Sequence, residues 1–476
     1  MADRKSFITP ERHGSRHPLN DLQSLANKYH CDISGVEFVK RMDEQDTLRG
    51  LRHEYHLPKM KDIPEVDKSL VNPDSECIYF VGNSQGPCPK ETGENINLEL
   101  SKWAKLGFNG FTDHNVGLPW ATCDEDLETS MATLVGSVPG EVAIMNGLSV
   151  NMHLMLVSFY RPTPKRHKIL CEKNAFPSDY YAFQSQISLN GYDPSTSLIY
   201  VEPRKGDETL RMEDILAKIT TEGESIAVIC LGGVQFITGQ VLDMQSITLC
   251  GHAKGCYVGF DLAHAVANVP LYLHDWKVDF ACWCTYKYIN SVPGGLGCIF
   301  IHNTHERNDF PKLLGWWGHK AESRFDMDNK MNLSTGARGY RITNPPPLLC
   351  ASIKTSLDIF NKTTMEDIRA KSRLMTAYLE FLITDRYKHG DSTDSIPPIK
   401  VITPSDPEQR GNQMSLTFPN QDVAAVFEEL GKRGVLCTAR KGFVIRIAMA
   451  PLYNSFDDIH RFMTYLDQAL KAAVTK

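Results

Sequence analysis

Between residues 76 and 302 the chain keeps returning to one pattern, a short apolar run followed by a stretch with helical spacing. The runs are "CIYFV", "EVAIM", "HKILC", "SLIYVE", "SIAVICL", "CYVGFD", "VDFACWC" and "GCIFIH", and they show little alternation between apolar and polar residues. Strands of that kind are covered on both faces, which calls for helices above and below a mainly parallel sheet built from βαβ units. The chain is therefore expected to be α/β. After "NPPP" at 344–347 the rhythm changes to long helices, then to "QMSLTFP", "GVLCTAR" and "GFVIRIAMAP" around a helix near 421–433. It closes on a helix in which Phe456, Ile459, Met463, Leu466 and Leu470 recur at helical spacing behind an Asn/Ser cap. The expected units are a helical arm over 1–75 packing with the small domain, a large α/β domain over 76–345 and a smaller α+β domain over 346–476.

A chain of 476 residues, 42% of them hydrophobic, has ample core for this arrangement. Its net charge of −6 comes with Lys and Arg scattered along the chain, which argues against nucleic acid or an anionic membrane as partner and for a small-molecule substrate. The opening "MADRKSFITPERHGSRHPLN" lacks the apolar segment of a secretory leader, and no stretch reaches the ~18 apolar residues of a membrane span, so the expected compartment is cytoplasmic. Thirteen cysteines at irregular spacings read as reduced, mostly buried thiols. Cys282, Cys284, Cys298 and His302 match no common zinc spacing, and no metal is expected.

In open α/β sheets the functional groups gather beyond the carboxyl ends of the strands. Three features stand there: Asp261 in "GFDLAHA", Lys287 in "TYKYIN" and the turn "NGLSVN" at 146–151. Burial favours the neutral, nucleophilic form of a lysine amine, which is the form an aldehyde cofactor requires. An aspartate 26 positions before that lysine suits a pyridine nitrogen, holding it protonated so that the ring acts as an electron sink. The turn offers a phosphate the Ser149 hydroxyl and the free N–H groups of a helix start, and Tyr286 adds another hydroxyl. Each residue alone has an ordinary alternative, a surface ion pair for Lys287 and a helix cap for Asp261 and Ser149. The combination is more informative than its members.

These pieces resemble the pyridoxal phosphate enzymes of the aspartate-aminotransferase fold type. The strings "FPSDYYAFQSQ", "FDLAHAV", "LYLHDWKVDFACWCTYKY", "GWWGH" and "APLYNSF" resemble the kynureninase family, over most of the chain. The resemblance implies a large domain with a mainly parallel seven-stranded sheet and pyridoxal 5′-phosphate as cofactor. It implies that Lys287 holds the cofactor as an imine and moves the α proton, that Asp261 pairs with the pyridine nitrogen, and that His264 lies beside the ring or phosphate. Phe176 would stack on the ring, with Ser178 and Asp179 close by. Leu148, Ser149, Gly232, Tyr286, Asn344 and Trp316 would complete the cofactor site, Trp316 coming from the other subunit of a homodimer. Arg446 would bind the substrate carboxylate, and His114 and Asn344 would meet the aryl ring. The implied reaction is hydrolysis of L-kynurenine or 3-hydroxy-L-kynurenine to an anthranilate and L-alanine, within tryptophan catabolism and NAD biosynthesis, with Tyr286 as the acid for the departing carbon.

Two departures stand out. Leu231-Gly232 precedes "GVQF" where relatives are expected to place a serine hydroxyl toward the phosphate, and Trp317 stands where they tend to have phenylalanine. A cysteine-desulfurase-like or aminotransferase reading would keep Lys287 and Asp261, but needs a mobile-loop cysteine or a pair of dicarboxylate-binding arginines, and neither is identified. A silent scaffold of the same fold is disfavoured by intact Lys287, Asp261 and Arg446.

Overall fold

The computed structural model describes residues 17–112, 114–387, 398–419, 421–440 and 443–474. Most of the chain start read above as leaderless, residues 1–16, lies outside the described residues.

Seven of the apolar runs form one sheet: β1 (Val142–Met145), β2 (Lys168–Glu172), β3 (Leu198–Val201), β4 (Ile226–Gly232), β5 (Tyr257–Asp261), β6 (Phe280–Cys284) and β7 (Gly297–Ile301). Their spatial order is β1-β7-β6-β5-β4-β2-β3. β7 runs antiparallel to both neighbours and every other adjacent pair is parallel. Because side chains alternate across a strand, Trp283, Cys298 and Phe300 enter one core layer while Phe280, Cys282 and Ile299 enter the other. Cys282 and Cys298 therefore face opposite sides of the sheet. Each fully buried aliphatic or aromatic side chain here contributes about 1.5–3 kcal/mol of transfer free energy, which is why both layers are apolar.

The first run, "CIYFV", is not part of this sheet. Ile78–Tyr79 pairs in parallel with Val435–Leu436, and Ile78 and Phe80 pack in a second core with Ile445, Ile459 and Phe462. An apolar run reports that a segment is buried, and leaves open which core buries it. The helices Pro18–Tyr29 and Val36–Gln45 join that second core through Leu22, Phe38, Val39 and Met42. Its sheet contains β8 (Lys400–Val401), β9 (Gln413–Thr417), β10 (Thr438–Arg440) and β11 (Val444–Ala448), antiparallel in the order β8-β9-β11-β10. The helix Pro347–Phe360 lays Ile353, Leu357 and Phe360 into the large core. The closing helix, Phe456–Val474, starts where the Ser455 hydroxyl accepts from the Asp458 N–H at 3.2 Å, and all five apolar residues of its predicted face are buried. Among the described residues no helix is long and apolar enough to cross a membrane.

Candidate active site

Parallel strands deliver their carboxyl ends to one edge of the sheet. Glu172 ends β2, Gly232 ends β4, Asp261 ends β5, and Lys287 follows the end of β6. Phe176, Asp179, Gly232, Asp261, His264 and Lys287 line a single cavity at that edge.

The lysine turn is held from below by the segment "GNSQG". The Gly86 N–H donates to the Tyr286 carbonyl at 2.8 Å, and a Cβ at Gly86 would stand 2.6 Å from the Lys287 carbonyl oxygen. Only glycine permits that approach. Asn290 then turns the chain in the left-handed region at φ 63°, and Thr285 ties the turn's base to Ser291 and to the Leu296 carbonyl. The amine Nζ lies 5.8 Å from the centroid of the Phe176 ring. Phe176 precedes Pro177 at the start of the helix Pro177–Leu189, and is 44% exposed.

Asp261 is oriented by the Ala263 N–H, which donates to its Oδ1 at 2.8 Å. The buried Asp179 carboxyl is pushed well above the usual carboxylate range by burial, by the Asp261 charge and by a hydrogen bond shared with Asp261. Its Oδ1 has no partner. Burial, with Lys287 and Arg446 nearby, holds His264 well below the ordinary histidine value, so its imidazole is neutral, and its Nδ1 is also unpartnered. Two orphaned buried polar atoms, an amine and an accessible aromatic face around one cavity suit a flat heteroaromatic aldehyde with a ring nitrogen.

Beside this cavity, the turn after β1 places Asn146 at φ 44° and opens the helix Leu148–Phe159. The Ser149 and Ser178 hydroxyls hydrogen-bond to each other, so the starts of two helices converge with N–H groups available to an anion. Tyr286 is pushed up to about 12 by burial and then by Cys284. Leu148, Ser149, Ser178 and Tyr286 share the edge without lining the lysine cavity.

Arg446, on β11, is 1% exposed and donates to the Phe236 carbonyl at 2.7 Å, to Ser84 Oγ at 3.1 Å and to Thr438 Oγ1 at 3.1 Å. Burial and then the neighbouring Arg440 bring it down to about 10. It has no carboxylate partner among the described residues. Phe236 lines the lysine cavity, so the guanidinium stands one residue behind its wall.

Three residues stand elsewhere. Trp316 lines a separate 460 Å³ cavity with Phe108, Phe111 and Phe325. His114 is hydrogen-bonded to the Gly110 carbonyl beside it, and Asn344 accepts from the Thr343 hydroxyl. Within one chain none of the three lines the Lys287 cavity.

Sequence reasoning passed over Ser84, Gly86 and Glu172. Glu172 was within its reach, being a polar residue at a strand end like Asp261; Ser84 and Gly86 carried no local signal. At the opposite edge of the sheet, Glu141, His274 and His302 bring ligating atoms within 4.8 Å of one another. The Glu141 carboxylate is engaged by His274 and by backbone N–H groups of Val138 and Asn303, and both His302 nitrogens have protein partners.

A signature described as "Kynureninase C-terminal domain" matches residues 368–466. The chain is 49% identical to the kynureninase of Rattus norvegicus over 95% of its own length and 97% of that protein, and 49% identical to that of Homo sapiens over 96% and 98%. Identity with the kynureninase of Myxococcus xanthus is 44% over 90% of the chain and 96% of the relative. Among solved structures, the apo cysteine desulfurase of Thermococcus onnurineus superposes with a TM-score of 0.68 at 14% identity, covering 86% of this chain and 98% of that one. A mutant of C-DES, with glycine covalently linked to its PLP cofactor, superposes with a TM-score of 0.69 at 15% identity over 84% and 98%. These two likenesses establish a shared fold.

Proposed function

The chain belongs to the kynureninase family, and on that premise we propose that it uses pyridoxal 5′-phosphate to hydrolyse L-kynurenine, and its 3-hydroxy form, to the corresponding anthranilate and L-alanine. The observation that carries this reading is the convergence of Lys287, the Asp179–Asp261 carboxyl pair, neutral His264 and the Phe176 ring on one cavity. When bound, the cofactor supplies an electron sink for the pair of electrons left at the substrate's α and β carbons.

In this reading Lys287 would hold the cofactor at its aldehyde carbon, and its freed amine would take the substrate's α proton. Asp261, aimed by the Ala263 N–H, keeps the pyridine nitrogen protonated, and Asp179 shares a proton with it. Phe176 covers one ring face. Ser149, Ser178, Leu148 and Tyr286 bind the phosphate, together with Trp316 of a second copy in a homodimer. Arg446 takes the substrate's α carboxylate, which supplies the anion that this buried guanidinium lacks. Water adds to the γ carbonyl carbon, the Cβ–Cγ bond breaks, and Tyr286, whose hydroxyl keeps its proton at neutral pH, returns a proton to the β carbon. His114 and Asn344 meet the aryl ring. The small-molecule substrate, the dimer, the cytoplasmic compartment and the place in tryptophan catabolism and NAD biosynthesis belong to this same reading.

The test is direct. Purified protein supplied with pyridoxal 5′-phosphate and L-kynurenine should release fluorescent anthranilate and L-alanine in equal amounts. Formation of alanine from cysteine, with the sulfur released as sulfide only on adding a thiol reductant, and no anthranilate from kynurenine, would favour a desulfurase-like activity instead.

A further inference from the structure

Glu172 is a buried carboxyl of the lysine cavity that the proposed reaction leaves unused. Its Oε1 accepts from the Gly232 N–H at 3.0 Å. A Cβ at position 232 would stand 3.1 Å from that same oxygen, so the carboxyl occupies the room that a side chain at 232 would need. Pairing of β4 with β5 sets Gly232 directly beside Asp261. Glu172 and Gln235 also line a second, 160 Å³ cavity that reaches Ile402 and Phe443, and so form the partition between it and the lysine cavity. Gln235 Oε1 is consumed by the Ile237 and Thr238 N–H groups, which turns its amide NH₂ toward Glu172 as a donor.

We propose that Glu172 is a positioning residue for the cofactor: clamped on the Gly232 amide, it replaces the missing side chain at 232 and fixes the Asp179–Asp261 carboxyl pair against the pyridine nitrogen. This rests on the reading that Asp261 faces that nitrogen.

The charged and titratable groups around Glu172 are Asp261, Asp179, Lys287 and His264 on the cavity side, the Cys171 and Cys230 thiols of β2 and β4, and Lys173 and Glu208 on the far side. Burial raises the Glu172 carboxyl, hydrogen bonds from Gly232 and Gln235 lower it, and the Asp261 charge raises it, leaving it at about 7. Below that pH it is a neutral clamp, and above it a further negative charge stands beside Asp261.

Four proteins decide the matter: wild type, Glu172→Ala, Glu172→Gln and Asp261→Asn. Each is measured for pyridoxal 5′-phosphate affinity by fluorescence quenching, and for the bound cofactor's absorbance from about pH 6 to about pH 9. Glu172→Ala should weaken cofactor binding by about tenfold, while Glu172→Gln, which keeps shape and acceptor, should stay within about threefold of wild type. Wild type should show a step in absorbance or affinity centred near pH 7, and Glu172→Gln should lack it. If Glu172→Ala fails to fold, the pH profile of Glu172→Gln decides alone. Wild-type affinity in Glu172→Ala, or the same pH step in Glu172→Gln, would overturn the proposal. Unchanged affinity and absorbance in Asp261→Asn would overturn the underlying reading as well; an impaired Asp261→Asn beside two silent Glu172 variants would overturn this inference alone.

Discussion

Lys287 Nζ sits over the Phe176 ring, 5.8 Å from its centroid, although 111 residues separate the two in sequence. Lys287 makes no ion pair among the described residues, so the ordinary fate of a strand-end lysine, pairing at the surface, is not what the fold gives it. An amine held beside an aromatic face, with two carboxyls lining the same cavity, is an arrangement that suits a flat cofactor. Borohydride reduction of the protein loaded with pyridoxal 5′-phosphate, followed by peptide mapping, should find the cofactor on Lys287. Lys287→Ala should lose about a thousandfold or more in turnover, since both the attachment and the proton transfer go with it. A label on Lys254 or Lys277 would sink the assignment.

Trp316 is 39% exposed and belongs to a cavity apart from Lys287. If a second copy brings Trp316 to the phosphate, mixing a Lys287→Ala parent with a Trp316→Ala parent should restore activity. Heterodimers then hold one doubly damaged site and one intact site, so turnover should rise well above either parent. Activity that stays at the parental level after confirmed subunit exchange would count against sharing.

Asn344 precedes Pro345, which biases it toward an extended backbone and holds its amide on a fixed heading. Asn344→Ala is expected to lower kcat/KM for 3-hydroxykynurenine by about tenfold more than for kynurenine, the size of one lost hydrogen bond. His114→Ala should weaken both substrates. Equal losses on the two substrates in Asn344→Ala would remove it from 3-hydroxyl recognition.

Away from the site, at the opposite edge of the sheet, Asp279 accepts from His252 at 2.8 Å, from His305 at 2.7 Å and from the Val258 N–H at 2.6 Å. Burial pushes the Asp279 carboxyl up, but the two imidazole hydrogen bonds outweigh it and hold it below the usual range. The same bond to Asp279 raises His252 above its ordinary value. A raised histidine stabilises the fold fully below its unfolded pKa, near 6.5, and loses that contribution as pH climbs through its folded value. His252→Ala should therefore destabilise the protein more at about pH 6 than at about pH 9, by no more than about 1 kcal/mol because the ring is partly solvated. Equal destabilisation at both pH values, measured by urea unfolding, would show that the charge on His252 contributes nothing.

The local pattern determined a good deal by itself. Apolar runs without alternation specified strands buried on both faces, their separation by helices specified mainly parallel pairing, and the ends of those runs pointed to Asp261 and Lys287. Seven of the eight runs took their places in the sheet, because period and burial are properties of a few consecutive residues. Tertiary structure decided the rest. "CIYFV" carried the same local signature as its neighbours but stayed out of the seven-stranded sheet: Ile78–Tyr79 found Val435–Leu436, and Ile78 and Phe80 entered the second core while Tyr79 packed in the first. Ser84 reaches Arg446 across 362 positions, Gly86 supports the lysine turn from 200 positions away, and Glu172 closes on Gly232 across 60. Such contacts leave no periodic trace in the chain, because they depend on which segments the two cores bring within a few ångströms, and that is settled only when the whole chain has packed.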